Sequence, residues 1–435
     1  MLIVVAAQNL VAYSVNMADN MMLGSYKQTS LSAATTVNQI FFMVQQFALS
    51  FANALVVLAS QYWGEQRREP IKRLTGIAMK LGLAVGVVLV AVCVLFPKQL
   101  LGLFTNDAGI VEEGCQYLAL VQWTFILFII TNIFMAALRS VGTVNISFYI
   151  SVVSLIINIG INYVLIFGKF GMPEMGIRGA AIGTLIARIV ELAIVLIYIL
   201  KIDKKLELFK GKDFWARDKV LRKDYGKVYL PIMCSQVLWG ISVPMQTAIL
   251  GHLSADAIAA NSVATTFYQY LKVVVIAMSS VSSVMIGNAI GRGDMKRIRS
   301  DARTLSVIDV AIGVVLAVIL YLLRYPLLST YNLSETATQM AINLIAIMSL
   351  VMIGMSYQMP VSFGIIQGGG DTKFTMYMNL ISTWIIVMPL SFLSAFVWKL
   401  PVEWVVLIIQ SDQIFKGIPT FIRFRQYTWM KKLTK

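Results

Sequence analysis

Apolar runs of roughly 20 residues, separated by short polar or glycine- and proline-containing breaks, recur along the whole 435-residue chain. An α-helix needs about this length to cross a bilayer, whereas a spanning β-barrel shows alternating segments of roughly 10 residues. With 58% hydrophobic and 13% charged residues, the chain has more apolar surface than a soluble domain buries. We predict an all-α membrane protein with twelve transmembrane helices, near 1–24, 35–62, 74–96, 114–138, 144–168, 179–201, 228–250, 257–289, 304–323, 337–366, 374–398 and 402–420.

Basic residues are distributed unevenly among the connections between these helices. A net charge of +15 would suggest nucleic-acid binding in a soluble protein, but in a membrane protein the placement of the charges reports topology. The even-numbered connections and the C-terminal tail hold 26 of the 36 lysines and arginines, and the odd-numbered connections hold six. The positive-inside rule predicts a multi-pass protein of the cytoplasmic (inner) membrane with both termini in the cytoplasm. We expect the protein to contact membrane lipid and to bind no nucleic acid.

One long charged connection, KIDKKLELFKGKDFWARDKVLRKDYGK, divides the predicted helices six and six. The predicted regions are an N-terminal six-helix lobe at 1–200, a cytoplasmic charged linker at 201–227, a C-terminal six-helix lobe at 228–422 and a basic cytoplasmic tail at 423–435. Glycines at helix ends recur across this divide at an offset of 227 or 228 positions, pairing Gly24 with Gly251, Gly64 with Gly291, and Gly142 with Gly370. The offset predicts two bundles related by an internal repeat, an architecture typical of transporters.

An aspartate interrupts the first apolar run, in the stretch SVNMADNMMLGS. A carboxylate near the bilayer centre costs roughly 3 kcal/mol, so Asp19 is a functional candidate by default. Asn16 lies one turn before it, and a polar stripe on the fifth helix includes Asn158 and Asn162. If these faces converge, Asp19, Asn16, Asn158 and Asn162 form a site for a proton or a sodium ion. The alternative is that the amides only hold helices together.

The C-terminal half has Gln246, not a carboxylate, at the position that matches Asp19. Its eighth helix carries Lys272, which is predicted either to pair with Asp19 in one conformation or to snorkel to an interface. Aromatic and polarisable side chains suit varied amphipathic cations. The predicted substrate cavity is lined by Tyr13, Gln39, Trp239, Gln246, Gln269 and Lys272.

Other charged residues lie inside the predicted helices. Arg188 and Glu191 have the i,i+3 spacing of a helical ion pair, and we expect them to pair with each other. Asp309 and Asp412 have no evident partner in the sequence, and no role is assigned to them.

The stretch NIGINYVLIFGKFGMPEMGIRGAAIGTLIAR, residues 158–188, resembles the corresponding region of the multidrug and toxic compound extrusion (MATE) family. The segments DNMMLG, ASQYWGE and LRSVGT with its partner IQGGGD resemble the same family in the same order, so the resemblance spans nearly the whole chain. It implies an ion-coupled exporter of amphipathic, often cationic compounds, with two lobes that alternate between facing in and out. It also implies that Asp19 and Asn158 belong to the cation or proton site, and Asn162 matches a position that is an aspartate in some members.

The sequence gives no indication of an enzyme. GGGDTK is not a phosphate-binding P-loop, and the single histidine and three scattered cysteines provide neither a metal cluster nor a catalytic constellation. No metal or cofactor is expected apart from the coupling H+ or Na+. We expect a cation-coupled antiporter that exports drugs and other small xenobiotics and functions as a monomer. A lipid-linked saccharide flippase of the same superfamily, which would share the fold, is the alternative.

Overall fold

The computed structural model describes residues 1–253, 255–328 and 334–434. Within these ranges the regular secondary structure is helical and contains no β-strand, which confirms the predicted all-α class. The α-helices are α1 (Leu2–Tyr26), α2 (Gln28–Gly64), α3 (Arg68–Leu95), α4 (Pro97–Gly102), α5 (Ala108–Val121), α6 (Trp123–Ser140), α7 (Asn145–Phe167), α8 (Ile177–Ile197), α9 (Lys219–Gly251), α10 (Ala255–Arg292), α11 (Met295–Leu328), α12 (Glu335–Met359), α13 (Thr372–Asn379), α14 (Met388–Phe392), α15 (Val402–Gln410), α16 (Asp412–Phe415) and α17 (Gly417–Gln426).

The predicted transmembrane spans correspond to helices in the structure. Among the described residues, eleven helical segments are long and apolar enough to cross a membrane. The remaining predicted span is the helix α8, which contains Arg188 and Glu191. The predicted fourth helix is divided into α5 and α6 at Gln122, because Phe125 N–H bonds to Gln122 O and tightens the turn. The twelve-span architecture is confirmed, and several spans are built from more than one helical segment, such as the last, which contains α15, α16 and α17.

Several helices continue beyond their apolar runs. The predicted ninth span, 304–323, is the middle of α11, which runs from Met295 to Leu328. The predicted last span ends at residue 420, whereas α17 continues to Gln426. Lysine and arginine are good helix formers, so charged ends extend a helix where the apolar run has already stopped. The apolar run therefore locates the membrane-embedded part of a helix and underestimates its length.

The chain forms two compact units. The first contains Ile3–Ala59 and Arg67–Tyr229, and the second contains Ser60–Gln66 and the residues from Leu230 onward. The last turn of α2 therefore belongs to the second unit, although the rest of that helix belongs to the first. The division into four regions expected from the sequence stays a prediction.

The charged connection at 201–227 packs on α3 within the first unit. Arg73 Nη2 lies 2.9 Å from Asp213 Oδ1. Gly76 lets the connection approach the helix closely, because a Cβ there would overlap the backbone oxygen of Phe214. The connection is thus an ordered part of the first unit.

Glycines related by the sequence repeat have matching local roles. Gly142 and Gly370 have φ angles of +76° and +100°, in the left-handed region that glycine adopts without steric cost. Gly64 on α2 and Gly291 on α10 pack against each other, since a Cβ on Gly291 would lie 2.9 Å from Gly64 Cα. The internal repeat is therefore visible in the backbone as well as in the sequence.

The basic C-terminal segment packs against the second unit. Asp371, immediately before α13, accepts hydrogen bonds from Arg423 Nε and from Lys431 Nζ, each at 2.8 Å. The Trp429 side chain is fully buried over Gly369, where a Cβ would overlap the indole ring. Lys435, the last residue of the predicted tail, lies outside the described residues.

Candidate functional site

Asp19 points into the first unit, unlike the asparagines beside it on α1. Asp19 is buried, whereas Asn16 and Asn20 are exposed. The Asn162 Nδ2 group on α7 donates a hydrogen bond to Asp19 Oδ1 at 2.6 Å. The predicted cluster therefore forms between α1 and α7 without Asn16. A spacing of three residues turns a side chain by about 60° from its neighbour, and here that rotation directs Asn16 outward.

Two asparagines form the α7 side of the site. Asn158 and Asn162 are one turn apart and fully buried, and Asn162 Nδ2 lies 3.4 Å from Asn158 Oδ1. Asn158 Nδ2 and Asn162 Oδ1 have no hydrogen-bond partner among the described residues. The site thus has one amide oxygen, Asn162 Oδ1, without a hydrogen-bond partner, and the Asn158 amide lies beside Asp19. Carboxylate and amide oxygens are the ligands that hard cations prefer.

Gly183 on α8 sets how closely α8 approaches this cluster. A Cβ at Gly183 would overlap Asn162 Oδ1, so only glycine leaves room for the amide in its observed orientation. Gly179, one turn earlier, packs in the same way, and a Cβ there would lie 2.7 Å from the backbone oxygen of Leu165. Small residues spaced four apart allow close helix packing in membranes. Gly183 therefore positions Asn162 toward Asp19.

We expect Gly183→Ala to lower the stability of the protein by about 1–3 kcal/mol, because the added methyl group displaces a buried amide from its place beside Asp19. The matched control is Gly160→Ala on α7, where a Cβ meets nothing within 4 Å. That substitution should be neutral, or stabilising by up to about 1 kcal/mol. Thermal unfolding of the two variants in detergent measures the difference, and equal melting temperatures would contradict the assigned role of Gly183.

An ion pair on α8 lies close to the cluster. Arg188 Nη1 is 2.8 Å from Glu191 Oε2, which confirms the pairing expected from their spacing. The guanidinium also lies over the Phe128 ring, 5.0 Å from its centroid, and interacts electrostatically with Asp19.

A small polar cavity of about 40 Å³ separates α1, α7 and α8. This volume exceeds the roughly 10–15 Å³ that one water molecule needs. Its polar walls include the ion pair and part of the predicted stripe on the fifth span, namely Ser151, Ser154, Asn158, Thr184, Arg188 and Glu191. The cavity gives water or a small ion room beside the amide of Asn158.

The charges around this site do not balance. In the part of the chain that the structure describes, Asp19 and Glu191 contribute two carboxylates here, and Arg188 contributes one guanidinium. With all three ionised the site is one unit negative, and binding one proton or one monovalent cation makes it neutral. The empty site has a net charge of −1 and the filled site is neutral. Neither state buries more than one uncompensated charge, so the site can both bind and release the cation.

The second unit contains an ion pair at the matching position of its own last span. Lys416 is 228 positions after Arg188, the offset of the Gly142 and Gly370 pair. Lys416 Nζ lies 2.6 Å from Asp412 Oδ2 and 3.0 Å from Asn379 Oδ1. Asp412, to which we assigned no partner from the sequence, is thus half of a buried pair at the i,i+4 spacing.

The predicted substrate-cavity residues are divided between the two units. Tyr13 is exposed, and the other five are partly exposed: Gln39, Trp239, Gln246, Gln269 and Lys272. Lys272 Nζ lies 5.2 Å from the centroid of the Trp239 ring, so these two form a cation–π contact in the second unit. The role of these residues as a substrate cavity stays a prediction.

Sequence reasoning missed three features of the site. It did not place Arg188 and Glu191 beside Asp19, and it overlooked Gly183 and Lys416. The 228-residue offset between Arg188 and Lys416 is the signal that could have revealed matching charges in the two halves. The spacing of Gly179 and Gly183, two small residues four apart, is the signal that could have revealed the close approach at Gly183.

A helical membrane protein with two repeat-related halves and a buried carboxylate cluster in one of them belongs to the class of secondary transporters. The sequence model of the MatE family matches this chain over residues 5–164 and 231–393, one segment in each half. The chain belongs to this family, the multidrug and toxic compound extrusion transporters.

Similar proteins come from bacteria and from a eukaryote. The probable multidrug resistance protein NorM of Thermotoga maritima is 24% identical over 98% of this chain and 91% of its own length. The protein of the same name from Rhizobium meliloti is 26% identical over 90% of this chain and 84% of its own length. A crystal structure of the Vibrio cholerae MATE transporter VcmN superposes with a TM-score of 0.88 at 18% identity, covering 99% of this chain and 96% of that one. The eukaryotic MATE transporter AtDTX14 gives 0.87 at 18% identity, with coverage of 100% and 96%. The two structures show that the fold is shared.

Proposed function

We propose that this protein is an antiporter that exports amphipathic, often cationic drugs and xenobiotics in exchange for H+ or Na+. The observation that carries the proposal is the Asp19 cluster, which is one unit negative and becomes neutral with one bound cation. Family membership and the similarity to multidrug resistance proteins support the substrate class. The protein then resides in the cytoplasmic membrane with both termini in the cytoplasm and functions as a monomer.

The proposed cycle is alternating access of the two lobes. Cation binding at Asp19 favours one conformation and substrate favours the other, so the two ligands drive each other across the membrane. The effect requires only that each ligand binds one of the two conformations more tightly. The flippase alternative has less support, because the named relatives are multidrug resistance proteins and transporters.

Efflux of ethidium from liposomes that contain the protein tests this proposal. We expect dye transport under an imposed proton gradient or an imposed sodium gradient, and none when the gradient is collapsed with a protonophore or a sodium ionophore. Protein-free liposomes provide the background. Dye movement that is the same with and without either gradient would contradict antiport, and transport under only one gradient would identify the coupling ion.

A further inference from the structure

Apart from Lys201 at the very end of the sixth span, four basic residues lie inside the predicted transmembrane helices, and one of them differs from the rest. Three have an oxygen partner: Lys80 with the Trp215 backbone oxygen at 3.2 Å, Arg188 with Glu191 at 2.8 Å and Lys416 with Asp412 at 2.6 Å. Lys272 has no carboxylate within salt-bridge distance among the described residues, and its ammonium lies over the Trp239 ring. An indole face compensates only part of the hydration that an ammonium loses in a membrane-spanning helix.

The nearby carboxylate does not neutralise Lys272. Asp412 interacts electrostatically with Lys272, but both of its oxygens are already engaged, Oδ2 with Lys416 Nζ at 2.6 Å and Oδ1 with Gln413 Nε2 at 2.9 Å. Two ammonium groups therefore share one carboxylate. Lys272, Lys416 and Asp412 together have a net charge of +1, whereas the Asp19 site in the first unit has a net charge of −1.

Lys272 is too deep in its predicted membrane span for its side chain to reach an interface. It lies near the middle of α10, a 38-residue helix that begins at Ala255. Lys272 is one residue from the midpoint of the predicted apolar run, 257–289. The midpoint of a bilayer is about 15 Å from either edge of the hydrocarbon core, which is beyond the reach of a four-carbon side chain. Snorkelling to an interface, which the sequence left open, therefore does not explain this lysine. An ionisable residue at such a position marks a functional site by default.

Lys272 and Trp239 are both partly exposed, so a ligand can reach them. The ammonium attracts an anionic group, and the indole offers a face on which an aromatic ring stacks. We propose that Lys272 and Trp239 form a subsite for the carboxylate end of aromatic amphipaths. This inference rests on the proposed function and extends its substrates to anionic and zwitterionic aromatic compounds. A single net positive charge matches a monoanion, whereas a dianionic phosphate leaves excess negative charge in the membrane interior.

Binding of two matched fluorescent probes tests the subsite. The probes are 1-pyrenebutyrate and 1-pyrenebutylammonium, which share an aromatic body and differ in the sign of their charge. Binding is measured with the full-length protein in phosphatidylcholine nanodiscs. We expect Lys272→Met to weaken pyrenebutyrate binding at least about tenfold and to leave pyrenebutylammonium binding unchanged or tighter. Lys272→Arg keeps the charge and should stay within about threefold of the parent for both probes.

Two further variants separate the contributions of charge and ring. Trp239→Leu removes the stacking face and should weaken both probes, since both have the same pyrene body. Lys80→Met removes a lysine from a helix of the first unit and should change neither. Retained pyrenebutylammonium binding shows that each lysine variant is folded.

Three outcomes would overturn the proposal. One is equal pyrenebutyrate affinity in the parent and in Lys272→Met. Another is an equal loss of both probes in Lys272→Met. The third is displacement of pyrenebutyrate from the parent, but not from Lys272→Met, when phosphatidylglycerol is added, which would assign the subsite to lipid headgroups. Ethidium efflux measured on the same variants distinguishes failure of the subsite proposal from failure of the antiport proposal. Gradient-driven efflux in Lys272→Met supports antiport regardless of the probe-binding result.

Discussion

Replacing Asp19 with asparagine is expected to reduce gradient-driven ethidium efflux at least about tenfold, which is about 1.4 kcal/mol in free energy of activation. The substitution keeps the size of the side chain and the hydrogen bond that Asn162 Nδ2 donates at 2.6 Å, since an amide oxygen can accept it. It removes the charge, so the cluster of Asp19, Arg188 and Glu191 is neutral without a bound cation. A site that is neutral when empty has no reason to take up a proton or sodium ion, and the coupling is lost.

The control for this variant is Asp107→Asn. Asp107 caps α5 by accepting hydrogen bonds from Gly109 N and Ile110 N. Asparagine is an equally good N-cap, so the control makes the same chemical change outside the cluster and should transport at the parental rate. Parental efflux in Asp19→Asn would leave family membership intact and reduce Asp19 to a structural role. Slow efflux in both variants would show that loss of an aspartate impairs the protein nonspecifically.

Replacing Asp412 with asparagine is expected to lower the free energy of unfolding by about 3–5 kcal/mol. The Asp412 and Lys416 side chains are 8% and 4% exposed, so the substitution leaves a buried ammonium without its counter-ion. Lys272 loses the same carboxylate. Adding Lys416→Met to this variant removes the unpaired charge and should restore most of the stability, because an apolar side chain of similar length fills the same space.

Thermal unfolding in detergent compares the parent, the two single variants and the double variant. The control pair is Glu207 with Lys210, which is 3.1 Å apart with side chains 35% and 75% exposed. Removing either partner there should change stability by no more than about 1 kcal/mol. If the effects of Asp412→Asn and Lys416→Met simply add, the two residues do not stabilise each other, and the assigned pair is wrong.

The two halves of the chain share one basic position and differ in the charged side chains around it. Arg188 and Lys416 are 228 positions apart and each pairs with a carboxylate on its own span. In the first unit, Asp19 lies beside the pair, and the three groups together have a net charge of −1. In the second unit, Lys272 lies near the pair, and those three groups have a net charge of +1. The repeat therefore supplies one site suited to a cation and, by our proposal, one suited to an anionic group.

Most of the architecture could be predicted from the sequence, because a membrane span can be recognised from the length of an apolar run alone. A span needs a certain length of apolar residues, so the runs predicted the helices, and the glycine offsets predicted the repeat. A charge inside such a run is expensive, which singled out Asp19 without any knowledge of its neighbours. The i,i+3 spacing of Arg188 and Glu191 was sufficient to predict their ion pair, since the pair forms within one helix.

The sequence by itself determined the spans, the repeat and which side chains are costly in a membrane. Only the tertiary structure decided which of them meet. Asn16 and Asp19 are close along α1, yet only Asp19 turns toward Asn162. Asp412 and Lys416 lie one turn apart in one apolar run, but only the structure placed Asn379 beside Lys416. The physical reason is that spacing along a helix sets the angle between side chains, whereas burial and partners depend on how closely the next helix approaches, and at Gly183 that distance is set by the absence of a single methyl group.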